Sequence, residues 1–327
     1  MIRKALIVGV DFYEKAPQLY GCVNDAHSIE AVLERDSDGT KNFQTKLITV
    51  NGPDSKLTRK DLKDNIKELF HGNPSAALFY FAGHGGYDKT TGGYLLTSES
   101  EHGDSGVPMS ELLNIAHESK AQNKIIILDC CHAGAAGEFS INQDLTMLSD
   151  GMTILTATSA DQYAKEKNGT GVFTNLLVDA LYGSAANLLG QVTLGSAYAH
   201  IDQGIGDWGQ RPIFRTNVKK FMPLRVANAP IPLSDLKMLT NLFPKKGEDY
   251  QLDPTYEPER NSEQKSLYPD PIEENTLKFE ILQKYNRVNL VVPVDAPHMW
   301  HAAMCSKSCK LTALGERYWD LVKNRYI

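Results

Sequence analysis

Polarity along the chain switches between short apolar runs and amphipathic stretches. Lys4 to Val10, Phe43 to Val50, Ala77 to Phe81, Ile125 to Leu128 and Met152 to Thr158 are brief and nearly continuous apolar runs. That is how strands buried on both faces of a sheet read. Helical periodicity falls between them. Ala26, Ile29, Val32 and Leu33 share one face of a helix reaching about Arg35, with Asn24 or Asp25 placed to cap it. Leu62, Ile66, Leu69 and Phe70 mark a second helix, capped by Thr58 with Asp61 three residues on. Further helices are predicted from Ser110 through about Glu118, from Phe173 to Tyr182 and from about Leu194 to Asp202. Gly92 to Thr97 suggests a small hairpin, and Gln210 to Arg215 a closing strand. Strands alternating with helices up to about residue 220 predict an α/β fold, a mostly parallel sheet covered on both faces.

From Pro244 to Pro271 this pattern lapses. Five prolines, many charges and few aliphatics predict an extended, exposed linker. The tail then resumes with a helix (about Glu274 to Tyr285), a strand (Val288 to Val292) and a last helix (about Leu314 to Val322). The expected division is a first domain over 1–225, a helix and Pro/charge-rich linker over 226–271, and a small C-terminal domain over 272–327.

Composition narrows the function classes. The chain is 42% hydrophobic and 23% charged over 327 residues, ordinary for a soluble globular protein. Its 34 basic and 40 acidic residues give a net charge of −6, which offers no global case for nucleic acid or anionic membrane binding. No stretch approaches the roughly 18 apolar residues of a membrane span. The apolar run after Met1 is too short for a signal-peptide core, and its start at strand one leads us to expect no prodomain ahead of it. Five cysteines, an odd number in no dense framework, point to a reducing, cytosolic setting.

Two strand ends carry the candidate chemistry. The run Ala77 to Phe81 ends in Ala82-Gly83-His84-Gly85-Gly86, and the run Ile125 to Leu128 ends in Asp129-Cys130-Cys131-His132. The carboxyl ends of parallel strands are where α/β proteins build their sites. A thiol there needs a base, because only the thiolate attacks well, and an imidazole can take the proton and later return it to a leaving amine. The amides of Gly85, which has no side chain to block its approach, and of Cys131 suit an oxyanion. No metal or other cofactor is required for such acyl transfer.

These motifs resemble the caspase-like cysteine peptidases, and among them the metacaspases. YFAGHGG and ILDCCHAG carry the likeness, with His84 47 positions before Cys131, near the caspase interval of about 50. YGCVNDA at Tyr20 to Ala26, ATSADQYAKE at Ala157 to Glu166, GVFT at Gly171 to Thr174 and QRPIF at Gln210 to Phe214 continue it in order. The resemblance implies a caspase-like sandwich: a six-stranded, mostly parallel sheet with helices on both sides. It makes His84 the base and Cys131, rather than Cys130, the nucleophile. It implies an acidic S1 pocket for Arg or Lys, mapped onto Cys22, Asp25 and Asp129, with Ala82 at a position where the family usually has Ser. Two carboxylates suit a guanidinium. The loops Asp11 to Asn24 and His84 to Thr97 hold no arginine, which an Asp-specific pocket would want. Metacaspases are often calcium-activated; the acids that map to such a site are Glu99, Glu101, Asp104 and Glu138, without the usual aspartate cluster.

Blander readings stand beside these. Cys130 reads as packing, on the opposite strand face from Cys131. Asp25 could cap its helix, and Asp129 could orient its loop. His298, His301, Cys305 and Cys309, spaced three, four and four, would bind zinc if they shared a helix face, although Pro297 and Ser306-Lys307-Ser308 argue against continuous helix. Leu311 to Gly315, leading to Tyr318-Trp319, resembles the end of a winged-helix module, with too thin a basic excess for nucleic acid, so residues 272–327 read as a regulatory protein contact. The reading of function is a cysteine endopeptidase for protein or peptide substrates with basic P1; the alternatives are an inactive caspase-fold scaffold or acidic P1 specificity. An Arg/Lys-specific enzyme cannot cut itself between Lys124 and Lys165, which encloses neither residue.

Overall fold

A computed structural model of the chain describes residues 2–88, 90–101, 105–130, 148–157, 166–167, 170–206 and 211–327. These fall into two compact units, Met1–Asn228 and Ala229–Ile327.

In the first unit the elements run β1 (Arg3–Val10), α1 (Cys22–Glu34), β2 (Gln44–Val50), α2 (Arg59–Phe70), β3 (Ala76–Ala82), β4 (Gly85–Asp88), β5 (Gly92–Leu95), β6 (Val107–Pro108), α3 (Met109–Glu118), β7 (Lys124–Asp129), β8 (Met152–Thr156), β9 (Glu166–Lys167), β10 (Thr170–Gly171), α4 (Val172–Asp179), β11 (Gln191–Thr193), α5 (Leu194–Ile205), β12 (Ile213–Asn217) and β13 (Pro223–Val226). Six of the strands form one sheet in the order β12-β8-β7-β3-β1-β2. Every neighbour pair in it is parallel except β12 with β8. The expected six-stranded, mostly parallel sheet flanked by helices is therefore the fold of this unit.

Alternation along the buried strands divides the core in two. Phe79, Phe81, Ile126, Leu128 and Cys130 pack on the face covered by α2 and α3. Leu78, Tyr80, Ala82, Ile125 and Ile127 pack on the other face, against Cys22, Ala26 and Ile29 of α1 and Phe173 and Leu177 of α4. Each Leu, Ile or Phe among them removed from water contributes about 1.5–3 kcal/mol, so the two central strands are fixed rigidly beneath whatever their ends carry. The α2 helix starts as its sequence predicts, with Thr58 and Asp61 in a reciprocal capping box. The α1 helix does not. It begins at Cys22, three residues before Asp25, and its first amides are met from outside: Cys22 N donates to Asp11 Oδ1 (2.9 Å) and Val23 N to Asp11 Oδ2 (3.4 Å). Asp11 caps α1 across the loop, and Asp25 stands within the first turn rather than at the cap.

The second unit contains α6 (Leu233–Lys237), α7 (Leu239–Leu242), β14 (Tyr250–Gln251), a 3-10 turn (Pro254–Tyr256), α8 (Ser262–Leu267), α9 (Glu273–Arg287), β15 (Val291–Val294), α10 (Met299–Met304), β16 (Ser308–Leu311) and α11 (Ala313–Lys323). The stretch Pro244 to Pro271 is not an extended linker. It supplies β14, which pairs with β16, and it buries Leu252, Tyr256 and Glu257. Its prolines exclude long ladders, and Arg260 replaces them: the guanidinium donates to the carbonyls of Pro254, Glu257 and Pro269. Strands β15 and β16 are antiparallel but joined through α10, so the hairpin wing of a winged-helix module is absent among the described residues.

Candidate active site

His84 emerges two residues past β3, and the loop that follows β1 holds it. Its Nε2 lies 2.7 Å from the carbonyl oxygen of Pro17. A carbonyl only accepts, so the neutral ring carries its proton on Nε2 and presents Nδ1 as the basic nitrogen. The backbone N–H of His84 donates to Tyr13 Oη at 2.7 Å, and the two rings lie 4.6 Å apart. Tyr13 is buried, and burial pushes its phenol well above the ordinary value, so it remains a neutral hydroxyl. The loop carrying Tyr13 and Pro17 is itself tied down, through Leu19 N to Asp11 O (2.8 Å) and Glu14 N to Ser98 O (2.9 Å). None of Asp11, Tyr13 and Pro17 stands out in the sequence. Their only signal is that the loop leads into the GCVND segment.

Strand register aligns the two chemistry-bearing ends. Ala82 of β3 is paired with Asp129 of β7, and Gly83 N donates to Asp129 O at 3.3 Å. Ala82 stands two residues before His84, and Asp129 two before Cys131. Cys131 and His132 lie outside the described residues. Cys130 is fully buried in the α2/α3 core beside Tyr13, a packing position. Gly85, the second oxyanion candidate, opens β4 opposite Leu95, while His84 O accepts from Leu96 N (3.0 Å).

The candidate S1 residues gather on the α1/α4 face. Cys22, Asp25, Ala82 and Asp129 are each buried. Asp25 Oδ2 accepts from Gly171 N at 2.9 Å, and Asp129 Oδ2 accepts from Thr174 Oγ1 at 2.7 Å. A side chain added at Gly171 would start 2.7 Å from Asp129 Oδ2 and 2.9 Å from Asp25 Oδ2. The two carboxylates thus flank one α-carbon. Cys22 turns its thiol toward the Asp11 carboxylate, whose pKa burial raises despite the bonds it accepts from Cys22 and Val23. Gly171 and Thr174 belong to the GVFT motif, but nothing in that motif alone ties them to Asp25 and Asp129, 146 and 45 positions away.

The remaining candidates do not assemble. Glu99 accepts from Arg59 N (3.0 Å) and Glu101 pairs with Lys15 (3.7 Å), while Asp104 and Glu138 lie outside the described residues. Helix α10 stops at Met304, so Cys309 sits on β16, away from the face that would have carried His301 and Cys305. No group of three or more metal-ligating side chains occurs among the described residues, and none of their helices is long and apolar enough to cross a membrane.

The family model described as the caspase domain matches residues 2–228. Metacaspase-1 of Mycosarcoma maydis is 32% identical over 95 residues, 28% of this chain and 23% of that protein. Metacaspase-1B of Neurospora crassa is 24% identical over 212 residues, 58% of this chain and 45% of that protein. The chain thus spans less than half the length of these curated relatives. The crystal structure of caspase-1 from Spodoptera frugiperda superposes with a TM-score of 0.51 at 13% identity, over 69% of this chain and 91% of that one.

Proposed function

Because the chain belongs to the caspase-domain family, we propose that it is a cysteine endopeptidase that cleaves protein or peptide substrates after Arg or Lys. In this reading the Cys131 thiol gives its proton to Nδ1 of His84. The thiolate attacks the scissile carbonyl, and the amides of Gly85 and Cys131 take the oxyanion. The imidazolium then protonates the leaving amine, and water hydrolyses the thioester. The observation that carries the reaction class is His84 with its tautomer set by Pro17 O, at the end of a strand registered against the one that runs into Cys131. Pro17 O also accepts from the ring in its charged form, so the imidazole keeps one orientation through the cycle.

The basic P1 preference is supported by Asp25 and Asp129. Two carboxylates brought to either side of one glycine match the planar donor fork of a guanidinium. No cofactor takes part in these steps. Calcium activation is a separate property, and the second unit, which has a core of its own, is a candidate contact for regulatory proteins.

The test is a fluorogenic peptide series varied at P1 (Arg, Lys, Gln, Asp), run with and without calcium on the wild type and on Cys131→Ala. Turnover confined to Arg and Lys, and abolished in Cys131→Ala, is the expected result. Turnover at Asp would overturn the specificity, and silence across the series with an unlabelled thiol would favour a scaffold.

A further inference from the structure

Asp25 and Asp129 are buried to within 3% and 7% of full exclusion and come from different elements. Two carboxylates so placed repel each other and lose hydration, so each tends to neutralise unless donors hold it ionised. Each accepts a bond from the start of the same helix. Gly171 is the N-cap of α4 and Thr174 stands in its first turn, and these two donate to Asp25 and Asp129 respectively. The positive end of the α4 dipole points the same way.

Thr174 has a single hydroxyl proton. It is committed to Asp129 Oδ2, since an ionised carboxylate cannot donate. Thr174 Oγ1 also lies 2.6 Å from Tyr80 Oη, so the proton in that contact must come from Tyr80. The chain therefore runs one way, Tyr80 to Thr174 to Asp129. Tyr80 and Thr174 are both fully buried, so water cannot take over either bond. Burial, and then the charges of Asp129 and Asp25, push the Tyr80 phenol well above its ordinary value and keep it a donor.

We propose that Thr174, backed by Tyr80, is a specificity-determining positioning residue: it sets the plane of the Asp129 carboxylate and so selects Arg over Lys at P1. This rests on Asp25 and Asp129 being the P1 pocket. A carboxylate of fixed plane rewards the two parallel donors of a guanidinium, whereas an ammonium, a point charge with rotatable donors, is indifferent to that plane. Thr174 is fully buried, and its role runs through the Asp129 carboxylate it donates to.

The experiment compares kcat and KM for matched Arg-P1 and Lys-P1 peptides in wild type, Thr174→Val, Thr174→Ser, Tyr80→Phe and Asp129→Asn, with titration of the Cys131 thiol by iodoacetamide in each. Expected in Thr174→Val is a rise of about tenfold in KM for Arg, a smaller rise for Lys, little change in kcat and unchanged thiol labelling. Thr174→Ser should restore the Arg:Lys ratio, and Tyr80→Phe should lower it part-way. A general folding defect would depress both substrates and the labelling together, leaving the ratio unmoved. Should Thr174→Val fail to fold, Tyr80→Phe carries the test alone. An unchanged ratio in the folded variants, with Asp129→Asn still crippling Arg turnover, would overturn the proposal and leave the pocket standing. If Asp129→Asn also spares Arg turnover, the pocket reading falls and takes the proposal with it.

Discussion

Placing one methyl group at Gly171 tests the acidic pocket without touching either acid. Gly171 has φ −71° and ψ 134°, a conformation any residue adopts, so Gly171→Ala introduces no backbone strain. By chain entropy alone it would stabilise the protein by about 0.4–1 kcal/mol. What it meets is the pair of carboxylates, with Oδ2 atoms 2.7 and 2.9 Å from the new carbon. Ordinary carbon–oxygen contacts begin near about 3.3 Å, so both oxygens must retreat by roughly half an ångström. Neither can do so cheaply, because one is held by Gly171 N and the other by Thr174 Oγ1. Overpacking of this kind costs about 1–3 kcal/mol, offset in part by the entropy gain, so the variant should fold with a modest loss of stability.

The effect on substrate should be larger. Misplacing the acceptors of a charged group forfeits about 1.5–3 kcal/mol, which is roughly a 10- to 150-fold fall in kcat/KM for an Arg-P1 peptide. The assay pairs that measurement with the rate of Cys131 alkylation by iodoacetamide, which has no P1 group to place. We expect the first to collapse and the second to stay within about twofold of wild type, less than 0.5 kcal/mol. If folded Gly171→Ala cleaves the Arg peptide as well as wild type, the carboxylates beside Gly171 do not receive P1. If alkylation falls in parallel with cleavage, the damage is to the whole site and the pocket argument fails as well.

Other outcomes follow from single contacts. Tyr13→Phe removes the acceptor of the His84 N–H; one neutral buried hydrogen bond is worth about 1 kcal/mol, so kcat should fall roughly fivefold with KM for Arg-P1 peptides unmoved, and an unaltered kcat would remove Tyr13 from the support of the base. Burial raises the pKa of Glu257, so the folded state binds that proton more tightly than the unfolded chain, and stability is lost as pH rises from the ordinary carboxylate value through the folded one. Glu257→Gln should therefore raise Tm near about pH 8 and change it little near about pH 4, and a thermal-shift series showing the reverse slope would contradict the burial argument. Any self-cleavage in the Pro244 to Pro271 stretch should occur at Lys245, Lys246 or Lys265 before Arg260, because a guanidinium donating to three carbonyls cannot enter a pocket until its loop unravels; mass spectrometry of wild type beside Cys131→Ala reads this directly, and an early cut after Arg260 would refute it.

How far the site could be read in advance depended on whether a residue's role is local. The capping box of Thr58 and Asp61, the unbroken apolar strands and the placement of His84 after one of them are all settled within a few residues, and hydrophobic pattern exposes them. Asp25 and Asp129 are legible only through motif likeness; their juxtaposition depends on α1 packing against the sheet that contains β7. The roles of the supporting groups are legible in neither way, although Thr174 itself lies in the GVFT motif. Asp11 looks like any loop aspartate until Cys22 N and Val23 N are found on it, and Thr174 looks like ordinary helix until its hydroxyl meets Asp129. Composition misled at Pro244 to Pro271 for a related reason. Proline and charge argue against ladders of backbone bonds, but they do not forbid a segment held by one arginine's donors and a few buried rings such as Tyr256. Periodicity registers bonds that repeat, and both the proposed base and the candidate pocket acids are held by bonds that occur once, between residues far apart in the chain. A sequence in which those single-use contacts were exchanged for apolar groups would keep the same strand and helix pattern, and would still fold, with its imidazole and carboxylates no longer fixed for the reaction.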